Sequence, residues 1–282
     1  MIIGFCNEKG GVGKTTLAIH TATWLVRQGR QVVLMDLDTQ AGISNFFGVQ
    51  PADDVAELLR SVLYLRRDRR PSISSFLHTC PGYSDLALLR GHSVTGDVEA
   101  ALREPGTIRP GAVLAEALGP LTSKGVTVVI DSGPHRDKLQ EAVLQAADHV
   151  FVPGIPEGAT EDPILNVVQH LHELGRVITG LIPTMVVTNS KKHRETVQDW
   201  KSIEGLGKLV YHDPSHGLAG LPRRVLWSQL FRLANPVWDV TPRALNVNRS
   251  DLEAAKRDMR IIMQRLAYDT GLERRGAWWE TE

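Results

Sequence analysis

Short apolar runs alternate with longer segments of helical periodicity along the chain of 282 residues. Six runs rich in aliphatic residues predict strands, at 2–6, 32–35, 85–89, 126–130, 147–152 and 180–188. Apolar residues at helical spacing predict helices at 17–28, 55–65, 162–174 and about 251–268. Because strands alternate with helices, the pattern predicts an α/β fold. It has a mostly parallel twisted sheet with helices on both faces, in a three-layer sandwich.

The composition is that of a globular protein. With 42% hydrophobic and 23% charged residues, no internal repeat and no long Gly/Ser linker, residues 1–282 are predicted to form a single domain. Lys and Arg total 32, as do Asp and Glu, so any nucleic-acid binding would have to come from a local patch. The two cysteines, Cys6 and Cys80, exclude a disulfide scaffold and offer no closely spaced pair for zinc or an iron–sulfur cluster.

The most specific chemical signal follows the first predicted strand. The sequence Gly-Gly-Val-Gly-Lys-Thr-Thr at 10–16 stands between that strand and a predicted helix, the context of a phosphate-binding loop in a P-loop NTPase. Glycines let backbone N–H groups point at a phosphate where a side chain would collide with it. Lys14 is expected to contact the β- and γ-phosphates, and the Thr15 hydroxyl to ligate Mg²⁺. The residues predicted to bind the nucleotide are Gly10, Gly11, Val12, Gly13, Lys14, Thr15 and Thr16.

A second lysine at the start of this loop breaks the ordinary pattern. Glu8 stands where a standard G-x-x-x-x-G-K-[ST] loop begins with glycine, and Lys9 precedes the glycines. Lys9 is expected to lie on the outer side of the loop, where it cannot easily reach the nucleotide of its own subunit. Its expected target is a phosphate presented by another subunit.

The run from Lys9 to Thr15 resembles the K-G-G-x-G-K-[ST] signature of the ParA/MinD family of deviant-Walker ATPases, and in particular ParA-like partition ATPases without an N-terminal helix–turn–helix domain. The resemblance implies an ATPase that uses ATP and Mg²⁺ and forms a homodimer in which Lys9 contacts the partner's ATP. It also implies weak hydrolysis stimulated by a ParB-like or cargo adaptor protein, and non-specific DNA binding that places the ATP-bound form on the nucleoid. Such an ATPase partitions a plasmid, a chromosome or another cargo.

Carboxylates follow two of the predicted strands. Asp36 and Asp38 resemble the acidic residues of the family's D-x-D-P-Q-G segment, and Asp131 resembles its Walker B aspartate. The resemblance implies that Asp38 positions the attacking water, that Asp36 lies nearer the Mg²⁺ shell and that Asp131 holds Mg²⁺ through water. Asp36 and Asp38 alternate across the strand end, so we expect them to face different ways. Thr39 and Gly133 depart from the family pattern in the loops that follow. The predicted catalytic residues are Lys9, Lys14 and Asp38, and the predicted metal-binding residues are Thr15, Asp36 and Asp131.

Two residues later in the chain are candidates for contact with the base. In related proteins an Asn after the strand that matches 180–188 recognises adenine, and a loop covers the base. The resemblance therefore points to Asn189 and Pro222. A helix-capping Asn and a turn Pro are equally good interpretations of these two residues.

Basic residues are concentrated toward the C-terminus, where positions 186–265 hold 14 Lys or Arg and 8 Asp or Glu. Phosphate backbones attract such surfaces regardless of base sequence. The candidate DNA-binding residues are Lys191, Lys192, Arg194, Arg223, Arg224, Lys256, Arg257 and Arg260. The alternative is a solvated helix face with ordinary charge pairs, for example Glu253 with Arg257. A further basic cluster at 66–70 is compatible with contact to DNA, to a partner or only to water.

Two other function classes stay open. MinD-like relatives end in an amphipathic membrane helix, and Trp278 and Trp279 suit a lipid interface, but Glu280 and Glu282 would be repelled by anionic lipid. Packing against the sheet is the simpler explanation of the apolar stripe of the last predicted helix. A biosynthetic ATP-dependent ligase of the same superfamily is the other alternative, although such relatives generally lack a residue like Lys9. The apolar N-terminal run is too short for a signal peptide and no run is long enough for a transmembrane helix, so we expect a cytoplasmic protein.

Overall fold

The computed structural model describes residues 1–92, 96–104, 109–157, 163–187, 189–211, 236–239 and 249–272. Its strands are β1 (Ile2–Phe5), β2 (Val32–Leu37), β3 (His78–Thr79), β4 (Leu86–Leu89), β5 (Thr127–Ser132), β6 (His149–Gly154) and β7 (Gly180–Pro183). Its helices are α1 (Lys14–Arg27), α2 (Gly42–Phe47), α3 (Asp54–Tyr64), α4 (Gly96–Arg103), α5 (Pro110–Thr122), α6 (Lys138–Ala146), α7 (Pro163–Glu173), α8 (Lys191–Ser202) and α9 (Arg249–Asp269). Each predicted strand and helix overlaps one of these elements.

The described strands form one sheet in the order β3-β4-β2-β5-β1-β6-β7. Neighbouring strands are parallel except for the short edge pair of β3 and β4. Every residue of β1, β2 and β5 is buried, because helices cover both faces of this sheet. The predicted fold class, a mostly parallel sheet between two helical layers, is confirmed.

Two hydrophobic cores fill the space between the sheet and its helices. Side chains alternate along each strand, so neighbours such as Ile2 and Ile3 enter different cores. One core packs β-strand residues against α3, α4, α5, α6, α7 and α8, and the other packs them against α1, α2 and α9.

The apolar stripe of α9 packs inside the second core beside α1. The stripe residues are at most 2% exposed: Leu252, Ala255, Met259, Ile262 and Leu266. The interpretation of the stripe as a packing face is therefore confirmed. The tryptophans at 278 and 279 lie outside the described residues, and no helix in the described ranges is long and apolar enough to cross a membrane.

The strand predicted over 180–188 is too long. β7 ends at Pro183, and the Thr184 N–H makes one further bond to the Gly154 carbonyl at 2.7 Å. The next residue, Met185, has a φ of 52°, in the left-handed region that a strand does not use. The chain therefore leaves the sheet there, although the apolar residues continue.

A buried histidine joins α1 to residues 236–239. The ring of His20 is 1% exposed; its Nδ1 lies 2.7 Å from the Thr16 carbonyl, and its Nε2 accepts a hydrogen bond from the Val237 N–H at 3.0 Å. These two partners suit a neutral ring with its proton on Nδ1. Burial lowers the pKa of His20 from 6.5 to about 4.

We expect His20 to make the free energy of unfolding fall as the pH drops from about 6.5 to about 4. In this window the unfolded chain binds a proton at His20 and the folded protein does not, and the loss amounts to at most about 3 kcal/mol. Urea denaturation of the wild type and of His20→Gln at pH 7 and pH 4.5 measures it. The stability advantage of the wild type should shrink at the lower pH, and an advantage that stays constant would contradict the assignment.

Candidate nucleotide-binding site

The nucleotide loop, residues 9–16, follows β1 at the carboxyl edge of the sheet, where β1 lies between β5 and β6. Ligands of open α/β sheets bind at this edge. Gly11 and Gly13 have φ angles of 71° and 94°, which glycine adopts without the strain of a Cβ. α1 begins at Lys14 with no side-chain cap and no acidic residue in its first turn. Its first amide groups are therefore suited to bind an anion.

The side chain of Lys14 is folded into the loop. Lys14 is 6% exposed, and its Nζ donates to the carbonyls of Asn7 and Lys9, each at 3.1 Å. Burial lowers the pKa of Lys14, and the carboxylates of Asp131 and Asp38 oppose that shift. The loop thus holds a cation at the position predicted to contact phosphate.

Asp36 and Asp131 lie side by side because they are partners in the parallel register of β2 and β5. Burial, followed by the charge of Asp131, raises the pKa of Asp36 well above its usual range. The Asp36 carboxylate accepts hydrogen bonds from the N–H groups of Asp38 and Ile43, both at 3.0 Å. Its oxygens thus hold the loop from 38 to 43 in place, with Gly42 so near Thr15 that a Cβ on Gly42 would lie 3.1 Å from the Thr15 methyl group.

Asp131 is fully buried and carries the clearest sign of a missing partner. Among the residues that the structure describes, neither of its carboxylate oxygens has a hydrogen-bond partner, which is rare for buried polar atoms. Burial raises the pKa of Asp131 to about 7, and the nearby Thr15 hydroxyl and Lys14 ammonium oppose this only in part. A carboxylate and a hydroxyl are oxygen ligands of the kind that Mg²⁺ prefers. Asp131 and Thr15 therefore fit a Mg²⁺ ion.

Asp38 differs from Asp36 in exposure, as the alternation of the two residues predicts. Asp36 is fully buried, whereas Asp38 is half-buried beyond the end of β2. One oxygen of Asp38 accepts a hydrogen bond from the Gln40 N–H at 3.0 Å. Its carboxylate is close enough to Lys14 and Asp131 to act on the pKa values of both residues.

Lys9 lies on the outer side of the loop. Its side chain is 44% exposed, and Nζ forms an ion pair with Glu157 at 3.1 Å. Glu157 follows β6 and is itself 57% exposed at its side chain. The two lysines of the loop therefore differ in environment: Lys14 is enclosed by backbone carbonyls, and Lys9 stands at the surface beside one acidic residue.

Of the two residues predicted to contact the base, the structure describes Asn189 and not Pro222. Asn189 is exposed in the turn before α8, and the helix is capped by the neighbouring Ser190, whose hydroxyl accepts from the His193 N–H. The interpretation of Asn189 as the helix cap is therefore wrong by one residue, and the role in base contact stays a prediction. Pro222 lies outside the described residues, as do Arg223 and Arg224.

The remaining candidate DNA-binding residues lie on two helices. Lys191, Lys192 and Arg194 are exposed at the start of α8, where Lys191 pairs with Glu195 at 3.5 Å. On α9 Arg257 and Arg260 are exposed and Lys256 is half-buried. The expected pair of Glu253 with Arg257 is wrong, because Glu253 pairs with Lys256 at 3.6 Å and Arg257 lies 3.8 Å from Asp258.

The basic cluster at 66–70 has a structural component. Arg67 and Arg70 both pair with Glu116 of α5, at 2.9 and 2.8 Å. Arg70 also donates to the carbonyls of Leu65 and Val62 at the end of α3. Arg67 and Arg70 therefore fasten this turn to α5, and Arg70 also caps α3, an interpretation that the sequence pattern did not suggest.

Three polar residues in contact with the loop were not predicted. Asn7 and Thr184 are buried and donate hydrogen bonds to backbone carbonyls, and Glu157 pairs with Lys9. Their partners are far away in sequence, so spacing along the chain carried no signal for these contacts.

A sequence model of the AAA domain family matches residues 1–178 of the chain. A protein described as replication protein A from Rhizobium rhizogenes is 32% identical over 165 residues, which are 55% of this chain and 40% of that protein. The chromosome-partitioning ATPase Soj of Treponema pallidum is 26% identical over 230 residues, which are 76% of this chain and 86% of that protein. The chain spans only 40% and 51% of the first two curated relatives that it matches.

Solved structures share the fold. McdA from Cyanothece, determined in the apo form, superposes with a TM-score of 0.71 at 19% identity, over 94% of this chain and 98% of that one. At this level of identity the likeness concerns the fold alone. It agrees with the mostly parallel sheet and with the two helical layers described above.

Proposed function

Because the chain belongs to the AAA-domain family of ParA-like partition ATPases, we propose that it is an ATP-driven molecular switch that binds and hydrolyses ATP with Mg²⁺. The observation that carries the proposal is the difference in environment between the two lysines of one loop. Lys14 is enclosed in the loop, and Lys9 points away from it to the surface. Residues 1–282 act in this proposal as a single ATPase domain.

The proposed chemistry is in-line transfer of the terminal phosphoryl group to water. The amides of the loop and the Lys14 ammonium bind the phosphates and offset the negative charge that develops there. Thr15 would hold Mg²⁺ directly and Asp131 through water, with Asp36 near the same shell, and the ion would neutralise phosphate charge. Asp38, half-exposed at the end of β2, orients the attacking water, and Asp36 keeps the loop that carries Asp38 in place.

We further propose that two subunits close face to face and that Lys9 then reaches the ATP of the partner. The exposure of Lys9 supports this, since its ion pair with Glu157 is open to solvent and such pairs contribute little stability. Lys9 therefore loses little free energy when it leaves Glu157 to contact a triphosphate. The nucleotide would act as part of the dimer interface, and its hydrolysis would release the subunits.

Non-specific DNA is the proposed partner of the dimer, together with a ParB-like or cargo adaptor that stimulates a weak ATPase. Lys191 and Lys192 support DNA binding, because they stand in the first turn of α8, where the helix dipole disfavours cations. The helix dipole therefore does not explain them, although Lys191 also pairs with Glu195 on the same helix. Arg194, Lys256, Arg257 and Arg260 complete the described part of this basic set. In this proposal the protein is cytoplasmic and joins the nucleoid when ATP is bound.

The proposed dimer is tested by replacing Lys9 with alanine. We expect the ATP affinity of Lys9→Ala to stay within about threefold of the wild type, because an exposed side chain outside the loop adds little to binding. The ATP-dependent dimer should be lost. Light scattering coupled to size-exclusion chromatography, with and without a non-hydrolysable ATP analogue, measures both states.

Lys124→Ala is the matched control, since Lys124 is an exposed lysine at the opposite edge of the sheet, before β5. It should dimerise like the wild type. Full dimerisation of Lys9→Ala would remove the reason for the second lysine and, with it, the proposed interface.

A further inference from the structure

Asn7 ties the beginning of the nucleotide loop to β6. Its side chain is 1% exposed, its Nδ2 donates to the Pro153 carbonyl at 2.6 Å, and its Oδ1 accepts from the Lys9 N–H at 2.8 Å. The amide thus donates through Nδ2 and accepts through Oδ1, and these two hydrogen bonds define its orientation. The Asn7 side chain therefore determines where the backbone of Lys9 lies.

Thr184 ties the middle of the loop to the end of β7. The residue is fully buried, and its hydroxyl donates to the Val12 carbonyl at 2.7 Å. Its own N–H is bound to Gly154, and a Cβ on Gly13 would be in van der Waals contact with its methyl group at 3.6 Å. The backbone bond to Gly154 therefore holds the hydroxyl against the loop.

The backbone just after Thr184 is in a costly conformation. Met185 has a φ of 52°, and a left-handed conformation costs a residue with a Cβ roughly 1–2 kcal/mol. Such strain persists where the surrounding contacts determine the conformation. The contacts that surround this point include the bonds of Thr184 to Val12 and Gly154.

We propose that Asn7 and Thr184 are positioning residues with separate tasks, an inference that rests on the function proposed above. Thr184 fixes the phosphate-binding part of the loop, and Asn7 fixes the backbone from which Lys9 reaches the partner subunit. The loop needs such support because its glycines have little conformational preference of their own. Amides that are already oriented bind phosphate without the entropy cost of ordering the loop.

The test compares Thr184→Val, which keeps the volume and removes the hydroxyl, with Thr184→Ser, which keeps the hydroxyl. In Thr184→Val the buried Val12 carbonyl loses its donor, and we expect the Kd of a fluorescent ADP analogue with Mg²⁺ to rise about tenfold. Thr184→Ser should stay within about twofold of the wild type, since the hydrogen bond remains. Thermal unfolding gives the folded fraction of each variant, and Thr184→Ala serves as the second variant if Thr184→Val is not folded.

Asn7→Ala is measured in the same two assays. We expect its ADP affinity to fall less than that of Thr184→Val, because the backbone carbonyls of Asn7 and Lys9 that accept from Lys14 remain. The fraction of ATP-dependent dimer should fall about fivefold or more, because the Lys9 backbone loses the side chain that positions it. The ADP analogue separates the two tasks, because it reports on the phosphate-binding part of the loop without requiring a dimer.

The outcomes are distinguishable. A wild type that binds no nucleotide would overturn the proposed function itself. A wild type that binds, with Thr184→Val equal to it or Thr184→Ser as weak as Thr184→Val, would overturn only the role of Thr184. Full dimerisation of Asn7→Ala, or an ADP affinity as poor as that of Thr184→Val, would overturn the separate task of Asn7.

Discussion

Replacing Lys14 with alanine is expected to weaken ATP binding by about a hundredfold or more, since loss of one partner of an enclosed charge pair costs 2–5 kcal/mol. The Lys14 ammonium is 6% exposed and is held by two carbonyls at 3.1 Å inside the loop. Burial lowers the pKa of Lys14, which indicates that its charge is costly to hold there, and an anionic phosphate would offset that cost. Equilibrium titration with a fluorescent ATP analogue measures the loss.

Lys14→Met is the companion variant, because it keeps an unbranched side chain of similar length and removes only the charge. It should bind ATP as poorly as Lys14→Ala while unfolding at a temperature equal to or above that of the wild type. Near-normal ATP affinity in Lys14→Met would show that the loop binds through its amides alone, and the assignment of Lys14 to the phosphates would fail.

The loop and the acidic strand ends were predictable because their signals are local. A buried parallel strand is a continuous apolar run, and the polar residues that follow it stand at the carboxyl edge, where Asp36 and Asp131 were expected. Their close approach then follows from the register of β2 and β5. The stripe of α9 was likewise visible as a spacing, and its burial follows from it.

Contacts between distant parts of the chain were not predictable in this way. Thr184 meets Val12 across 172 positions, and Asn7 meets Pro153 across 146. Neither residue type nor neighbouring sequence distinguishes these two from ordinary polar residues at the end of a strand. The early end of β7 was also hidden from the sequence, because apolar residues continue to Val187. The left-handed conformation of Met185 takes the chain out of the sheet there.

The charge pairs of the helices show a further limit. A separation of four residues on a helix predicts an ion pair between Glu253 and Arg257. The Glu253 carboxylate instead pairs with Lys256, three residues away. Both spacings bring side chains together on one helix face, and pairs of either kind differ by only a few tenths of a kcal/mol. The cluster at 66–70 suggests a basic surface patch, but Arg67 and Arg70 form ion pairs with Glu116 of α5. The sequence spacing does not reveal this distant partner.

Replacing Asp131 with asparagine is expected to separate stability from activity. At neutral pH the variant should gain about 1–2 kcal/mol in free energy of unfolding, because it removes a buried carboxylate whose oxygens have no hydrogen-bond partner in the described part of the chain. Burial already raises the pKa of Asp131 to about 7, which shows that its charged form is disfavoured in the folded protein. Urea denaturation without nucleotide and without Mg²⁺ measures this gain.

The same variant should lose Mg²⁺-dependent ATP hydrolysis by about a hundredfold or more, since a metal ion contributes several kcal/mol to phosphoryl transfer. ATP binding in the absence of Mg²⁺ should change far less, because Lys14 and the loop amides are intact. Release of inorganic phosphate at increasing Mg²⁺ concentration measures the loss. Asp137→Asn is the matched control: Asp137 caps α6 beyond the same strand, and Asn caps a helix about as well as Asp, so its replacement should leave both the stability and the Mg²⁺ dependence nearly unchanged. An Asp131→Asn protein that is less stable than the wild type and hydrolyses ATP normally would mean that Asp131 is a structural residue and that Mg²⁺ is held elsewhere.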